Sequence, residues 1–255
     1  MDDSLRGRVI WHELMTTDVE GAQRFYTQVV GWTVAPFGGS PGYDVWMRSA
    51  DEGVGGVMKI PEGMDFPPHW GMYIGVPQLE EAVADIERRG GGTLSEVIDV
   101  EGVGRMRAMR DPQGAAFSIL EPAIPGAPAD REPEVGEVSW HELYTTDAEA
   151  AMAFYTGAFG WQPTEALDMG TMGKYHMFAG GKALGGGMMN KPREMAQVPP
   201  NWGFYFRVPN VHEGVERVKA NGGQVLNGPM EVPGGDWVVN CLDPQGAAFS
   251  LHHRK

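Results

Sequence analysis

Apolar residues at Ala22, Phe25, Tyr26 and Val29 recur at the spacing of one buried helix face, and the run Val9 to Met15 before them reads as a strand. Thr17-x-x-Glu20 has the form of a capping box opening that helix, and Gly31 supplies the left-handed residue that ends it. Strand candidates follow from Trp32, around Tyr43 to Arg48, and around Val54 to Ile60. After Pro67-Pro68 the order begins again. A strand from Trp70 to Val76 leads to Pro77, placed at the first turn of a helix whose apolar face is Leu79, Ala82, Val83 and Ile86. Gly90 to Gly92 stop this helix, and strands near Thr93 to Ile98, Arg105 to Arg110 and Ala115 to Leu120 complete a second βαβββ module.

The pattern then returns as a whole. Trp11-His12-Glu13-Leu14 recurs as Trp140-His141-Glu142-Leu143, and Asp111 to Ser118 recurs residue for residue as Asp243 to Ser250. Helix faces recur as Ala151, Phe154, Tyr155, Ala158 and then Val211, Val215, Val218. Whole domains were duplicated, so the expected fold is α+β, with four βαβββ modules in two domains. The first domain is expected over 1–121 and the second over 136–255. The Pro-rich stretch 122–135, with Pro122, Pro125, Pro128 and Pro133, reads as a stiff exposed linker. Asp111-Pro112-Gln113-Gly114 and its copy fit type I turns at hairpin corners.

Composition narrows the partners. With 34 acidic and 20 basic residues, the formal charge of -14 opposes binding to a phosphate backbone or an anionic membrane. No apolar run reaches bilayer length, the start lacks a signal-peptide pattern, and the single cysteine, Cys241, forms no internal disulfide. A cytoplasmic protein acting on a small molecule is expected, without nucleic acid or membrane, as a monomer whose repeats form an internal pseudo-dimer or as a homodimer. Sixteen methionines and eight tryptophans supply core and adaptable binding surface.

Paired βαβββ modules, the Trp-x-Glu-Leu-x-Thr starts, the Phe-Tyr helices, the closing glycines and the late Asp-Pro-x-Gly hairpins together resemble the vicinal oxygen chelate superfamily. It includes glyoxalases, extradiol dioxygenases and bleomycin-resistance binding proteins, and the tandem form is similar to members labelled hydroxylase or glyoxalase-like. The resemblance implies that each repeat folds as a paired-module cupped sheet, with metal ligands on the first strand of each module and on a last strand. Those positions fall here on Trp11 and Trp140, Gly71 and Gly203, and Ser118 and Ser250. Trp and Gly side chains do not ligate divalent ions and Ser does so poorly, so no cofactor is expected. A divalent metal held by His12, His141 or His69 is the fallback. Strand alternation opposes it, because Trp11, Glu13 and Met15 would face the cup while His12 faces the helices.

Glu13 and Glu142 are the candidate catalytic residues. A carboxylate in an aromatic cup needs a donor, a ligand or a shifted pKa. Arg207, facing inward beside Tyr205, is a candidate partner in the second repeat; Tyr73 stands where Tyr205 does. The expected ligand-lining set is Trp11, Glu13, Met15, Tyr73, Trp140, Glu142, Tyr144, Tyr205 and Arg207. Gly53 to Gly56 and Gly185 to Gly187 read as allowances for sheet curvature rather than as phosphate loops. Cys241 lacks a motif that would make it a nucleophile, and His252 and His253 read as a solvated tail. Two function classes follow: a protein binding a small apolar or aromatic metabolite, or a metal-dependent glyoxalase, lyase or dioxygenase.

Overall fold

The structure is a computed structural model that describes residues 3–124, 126, 130–181 and 185–255. The first repeat runs β1 (Val9–Thr16), α1 (Val19–Val29), β2 (Thr33–Pro36), β3 (Tyr43–Ser49), β4 (Glu52–Lys59), β5 (His69–Gly75), α2 (Leu79–Arg88), β6 (Gly92–Thr93), β7 (Ile98–Val100), β8 (Gly104–Arg110) and β9 (Ala116–Pro122). The second runs β10 (Val138–Thr145), α3 (Ala148–Phe159), β11 (Gln162–Asp168), β12 (Lys174–Ala179), β13 (Gly185–Asn190), β14 (Asn201–Arg207), α4 (Val211–Ala220), β15 (Gln224–Glu231), β16 (Trp237–Leu242) and β17 (Ala248–His253). The strands form two curled sheets, ordered β2-β3-β4-β1-β5-β9-β8-β6, with β7 on β8, and β11-β12-β13-β10-β14-β17-β16-β15. This is the expected α+β architecture of βαβββ modules. Among the described residues no helix is long and apolar enough to cross a membrane.

Contacts gather the chain into two compact units, each taking one module from either repeat. One comprises Trp11–Trp70, Pro133–Ser139 and Gly203–Lys255; the other comprises Met1–Ile10, Gly71–Glu132 and Trp140–Trp202. In the first unit, Tyr26 on α1 is fully buried among Trp32, Trp46, Trp70, Phe206 and Phe249. Its hydroxyl accepts from Trp70 Nε1 at 2.9 Å and donates to Asp243 Oδ2 at 3.2 Å. The second unit repeats the device: Tyr155 on α3 accepts from Trp202 Nε1 at 3.0 Å and donates to Asp111 Oδ2 at 3.2 Å. Each aspartate also holds its own turn, with Oδ1 of Asp111 accepting from Gln113 and Ala115 amides and Oδ1 of Asp243 from Gln245 and Ala247 amides. The hairpin corner of one repeat is thus locked to the first helix of the other.

Several local expectations are corrected. Thr17 is not the cap of α1: Asp18 takes that place and accepts from the Gly21 amide at 2.9 Å, adding a negative charge at the positive end of the helix. A side chain at position 21 would collide with that carboxylate, since a Cβ there would lie 2.2 Å from Asp18 Oδ2. Pro77 precedes the Gln78 cap of α2 instead of entering its first turn, and the Leu79 amide is capped from β9 by Glu121 at 2.9 Å. The strand expected near Thr93 to Ile98 is broken into β6 and β7. Ser95 causes the break, its hydroxyl accepting from the Ala108 amide where a backbone carbonyl would otherwise pair. Of the linker prolines, Pro125 and Pro128 lie outside the described residues. Pro122 closes β9 and Pro133 begins the segment held by the first unit.

Tyr155→Phe removes one donor from a buried carboxylate and one acceptor from Trp202. A loss of about 1–3 kcal/mol in urea unfolding is expected, with a similar loss for Tyr26→Phe; an unchanged midpoint would show that the tyrosine–aspartate pair contributes nothing.

Candidate functional site

The first strand of each repeat carries a tryptophan, a glutamate and a third residue on one face, at positions 11, 13, 15 and 140, 142, 144. Alternation is visible in burial: Leu14 and Leu143, of opposite parity, are fully buried in the core. Glu13 and Glu142 are themselves only 5% and 7% exposed. Trp140 Nε1 donates to the Tyr175 hydroxyl at 2.8 Å, and that hydroxyl donates to Glu142 Oε1 at 2.9 Å. The other oxygen, Oε2, accepts from the Tyr144 hydroxyl at 2.5 Å. In the first repeat Trp11 Nε1 donates to Tyr43 at 2.8 Å, and Tyr43 is hydrogen-bonded to Glu13. The equivalent of Tyr144 is Met15, which brings no hydroxyl.

Glycine makes this relay reachable. Gly56 lies opposite Glu13 across the β1–β4 ladder, and Gly187 lies opposite Glu142 across β10–β13. A Cβ on Gly56 would sit 2.0 Å from the Tyr43 hydroxyl oxygen, and one on Gly187 would sit 2.1 Å from Tyr175 Cζ. Each tyrosine ring therefore lies directly on glycine backbone and reaches diagonally to the glutamate of the next strand. The glycine runs, read from sequence as curvature allowances, are also ring seats. Burial first, then the neighbouring glutamate, raises the hydroxyl pKa of Tyr43 and of Tyr175 well above the usual phenol range. Both phenols stay protonated and act as donors.

Tyr43 and Tyr175 were not among the expected site residues. Their signal was present in the repeat: each stands at the start of the third strand of its module, 13 and 12 residues before the glycine that faces the glutamate. Tyr73 and Tyr205 occupy matching places in the β5–β9 and β14–β17 ladders, opposite Ser118 and Ser250. Asn240 donates to the Tyr205 hydroxyl at 3.2 Å and to Ser250 at 2.8 Å. The Arg207 guanidinium donates to the Pro133 carbonyl, while the donors described on Glu142 are tyrosine hydroxyls.

The histidines have their own tasks. His12 packs edge-on against Phe204, with ring centres 5.3 Å apart. His69 Nδ1 lies 3.0 Å from the Pro67 carbonyl, and at the equivalent place Asn201 donates to the Pro199 carbonyl at 2.8 Å, so both residues cap the same turn. His141 is buried with Nδ1 3.3 Å from the Gly185 carbonyl, and burial lowers its pKa to about 4. His252 and His253 are not a solvated tail: both belong to β17, and His252 is bonded through both ring nitrogens, to Ser139 and to Asp236. Cys241 is buried, which raises its thiol pKa to about 12.

The donor set does not fit the metal that the fold family implies. The tryptophans at the ligand positions present N–H donors already engaged with tyrosine, and Ser250 accepts from Asn240. Among the described residues no group of three or more His, Cys, Asp or Glu side chains is arranged to hold an ion.

Residues 137–251 match the family model of the glyoxalase/bleomycin resistance protein/dioxygenase superfamily, and residues 11–120 match that of a glyoxalase-like domain. A putative glyoxylase, CFP32, of Mycobacterium bovis is 31% identical over 250 residues, covering 96% of this chain and 94% of the relative. The anthracycline biosynthesis protein DauV of a Streptomyces species is 29% identical over 266 residues, covering 96% and 92%. The Mn(II)-bound glyoxalase from Novosphingobium aromaticivorans shares the fold at a TM-score of 0.67 and 17% identity, covering 97% of this chain and 82% of that one. The 2,3-dioxygenase LapB from Pseudomonas sp. KL28 does so at 0.68 and 14%, covering 98% and 93%.

His141 gives a pH test. Its folded pKa of about 4 lies below the ordinary value of 6.5, so its contribution is complete above pH 6.5 and is lost as pH falls through 4. Unfolding free energy of the wild type relative to His141→Gln is expected to fall by on the order of 3 kcal/mol across that window; a flat difference would contradict burial of a neutral imidazole. The two repeat-wide matches and the full-length relative place this chain in the glyoxalase/bleomycin resistance protein/dioxygenase superfamily, the vicinal oxygen chelate proteins.

Proposed function

We propose that each cup binds a small, largely apolar or aromatic molecule through the tryptophan–tyrosine–glutamate relay, with the superfamily's usual metal positions given over to hydrogen-bond donors. The observation that carries this reading is Glu142, a nearly buried carboxylate with a tyrosine hydroxyl on each oxygen. Removing either donor would leave a desolvated oxygen short of a partner, and Tyr144, the partly exposed one, is the donor that a ligand oxygen would meet first. Trp140, Met177 and Met189 share the relay's face, giving aromatic and polarizable surface around one polar anchor. Trp11, Met15 and Met58 do the same around Glu13.

The name of one relative, an anthracycline biosynthesis protein, supports an aromatic ligand, since anthracyclines are fused-ring hydroxyquinones whose phenol and carbonyl oxygens suit such an anchor. Acid–base chemistry is a second reading, favoured by the 2.5 Å Tyr144–Glu142 contact: Glu142 would take a proton as Tyr144 donates to the oxygen that gains charge. In this reading the chain is a cytoplasmic protein of two domains, 1–121 and 136–255, joined by 122–135, acting as a monomer or as a homodimer.

Tryptophan fluorescence titration with 1,8-dihydroxyanthraquinone tests the reading. Saturable quenching is expected, weakened about ten-fold, or roughly 1.4 kcal/mol, by Glu142→Gln combined with Tyr175→Phe. Tyr144→Met, which copies the first repeat, is expected to weaken it less. Quenching that never saturates, or that the double variant leaves untouched, would overturn it.

A further inference from the structure

The second repeat contains a polar set that the first lacks. Ser139 Oγ lies 2.7 Å from His252 Nδ1, and His252 Nε2 lies 3.0 Å from Asp236 Oδ2. All three belong to one compact unit. At the equivalent positions the first repeat has Ile10, Leu120 and Gly104. The duplicated fold therefore needs nothing polar here: one copy of the same architecture closes this place with a branched chain, a leucine and a glycine. Placing a serine, an imidazole and a carboxylate there incurs a desolvation cost that packing does not require. Arg207 is also new, replacing Gly75, and pairs with His252 in the parallel β14–β17 ladder.

The hydrogen bonds fix the tautomer. Asp236 accepts only, so the proton lies on His252 Nε2 and Nδ1 is the acceptor. The Ser139 hydroxyl, which is nearer to Nδ1 than to the Tyr205 carbonyl at 3.2 Å, then donates to the imidazole. We propose that Ser139, His252 and Asp236 form an acyl-accepting site, with Ser139 the nucleophile, His252 its base and Asp236 the group that holds the imidazole in register.

Ser139 Oγ attacks the carbonyl carbon of a small activated ester and forms the Oγ–C bond as its proton passes to Nδ1. The C–O bond to the leaving group breaks, and the alkoxide takes that proton from His252. Water then attacks the acyl-serine with His252 as base, releasing the carboxylic acid and restoring Ser139. Arg207, paired with His252 in the ladder and donating to the Pro133 carbonyl, adds positive charge near the set. Burial first, with Arg207 and His253 adding to it and Asp236 opposing, lowers the His252 pKa below the usual imidazole value. Ser139, Asp236 and His252 are each half-buried, residues 233, 234 and 254 near them in the chain are exposed, and the site is independent of the ligand proposed for the cups.

The test is intact-mass and peptide mapping of the whole chain after diisopropyl fluorophosphate, with p-nitrophenyl acetate turnover in parallel. One adduct is expected on Ser139 in the wild type, absent from Ser139→Ala, with labelling and turnover about ten-fold slower in His252→Gln. Asp236→Asn is expected to slow both while thermal unfolding stays cooperative. A folded wild type that takes no label, label mapped away from Ser139, or His252→Gln reacting at the wild-type rate would each overturn the proposal. A purely structural clamp would change the melting temperature in these variants and leave labelling absent throughout.

Discussion

A buried tyrosine bonded to a buried aspartate is the contact on which the rest of this fold depends. Tyr26–Asp243 and Tyr155–Asp111 each join the first helix of one repeat to the final hairpin of the other. Asp111 and Asp243 are only 2% and 3% exposed, and their carboxylates are held by turn amides on one oxygen and a phenol on the other. Burial raises the pKa of both, the turn amides and the tyrosine opposing it. Losing the phenol would leave a desolvated carboxylate short of a donor, and the tryptophan that donates to that phenol would be orphaned as well. Each compact unit closes only because two modules from different repeats supply the two halves of this network.

The cup faces solve a related problem differently. A glutamate placed among tryptophan and methionine must be satisfied from within, and tyrosines reaching over glycine backbone do so in both repeats. The copies have since diverged. Tyr144 completes a two-phenol clamp on Glu142, whereas Met15 leaves Glu13 with a more apolar neighbourhood. The last module likewise carries Arg207, Asp236, Asn240 and His252 where the first repeat has Gly75, Gly104, Ala108 and Leu120. Comparing the repeats within one chain separates what the fold needs, which both keep, from what only one carries.

The architecture was legible because duplication doubles every signal: helix faces at 22, 25, 26, 29 and 151, 154, 155, 158 are all buried in the structure. Errors arose where a side chain competed with the backbone, as at Ser95, or where a better acceptor stood one residue on, as with Asp18 after Thr17. Trp11, Glu13, Trp140 and Glu142 could be placed on one face from strand alternation alone. Their partners could not, because Tyr43 and Tyr175 arrive diagonally from another strand, and a run of glycines does not declare which ring rests on it. The Asp-Pro-Gln-Gly motif was readable as a turn, but its long-range tyrosine partner has no local signature.

The central claim is that protein donors have taken the place of a metal in these cups. It is tested most directly by elemental analysis of untagged protein purified without chelator, with anthraquinone affinity measured before and after adding Mn(II), Fe(II), Ni(II) or Zn(II). The account predicts metal well below stoichiometric, below about 0.1 ion per chain, and an affinity that no ion changes, because ligand contact runs through Glu142 and its tyrosines instead of a Lewis acid. About one or two tightly held ions per chain, or binding that appears only when an ion is supplied, would contradict it.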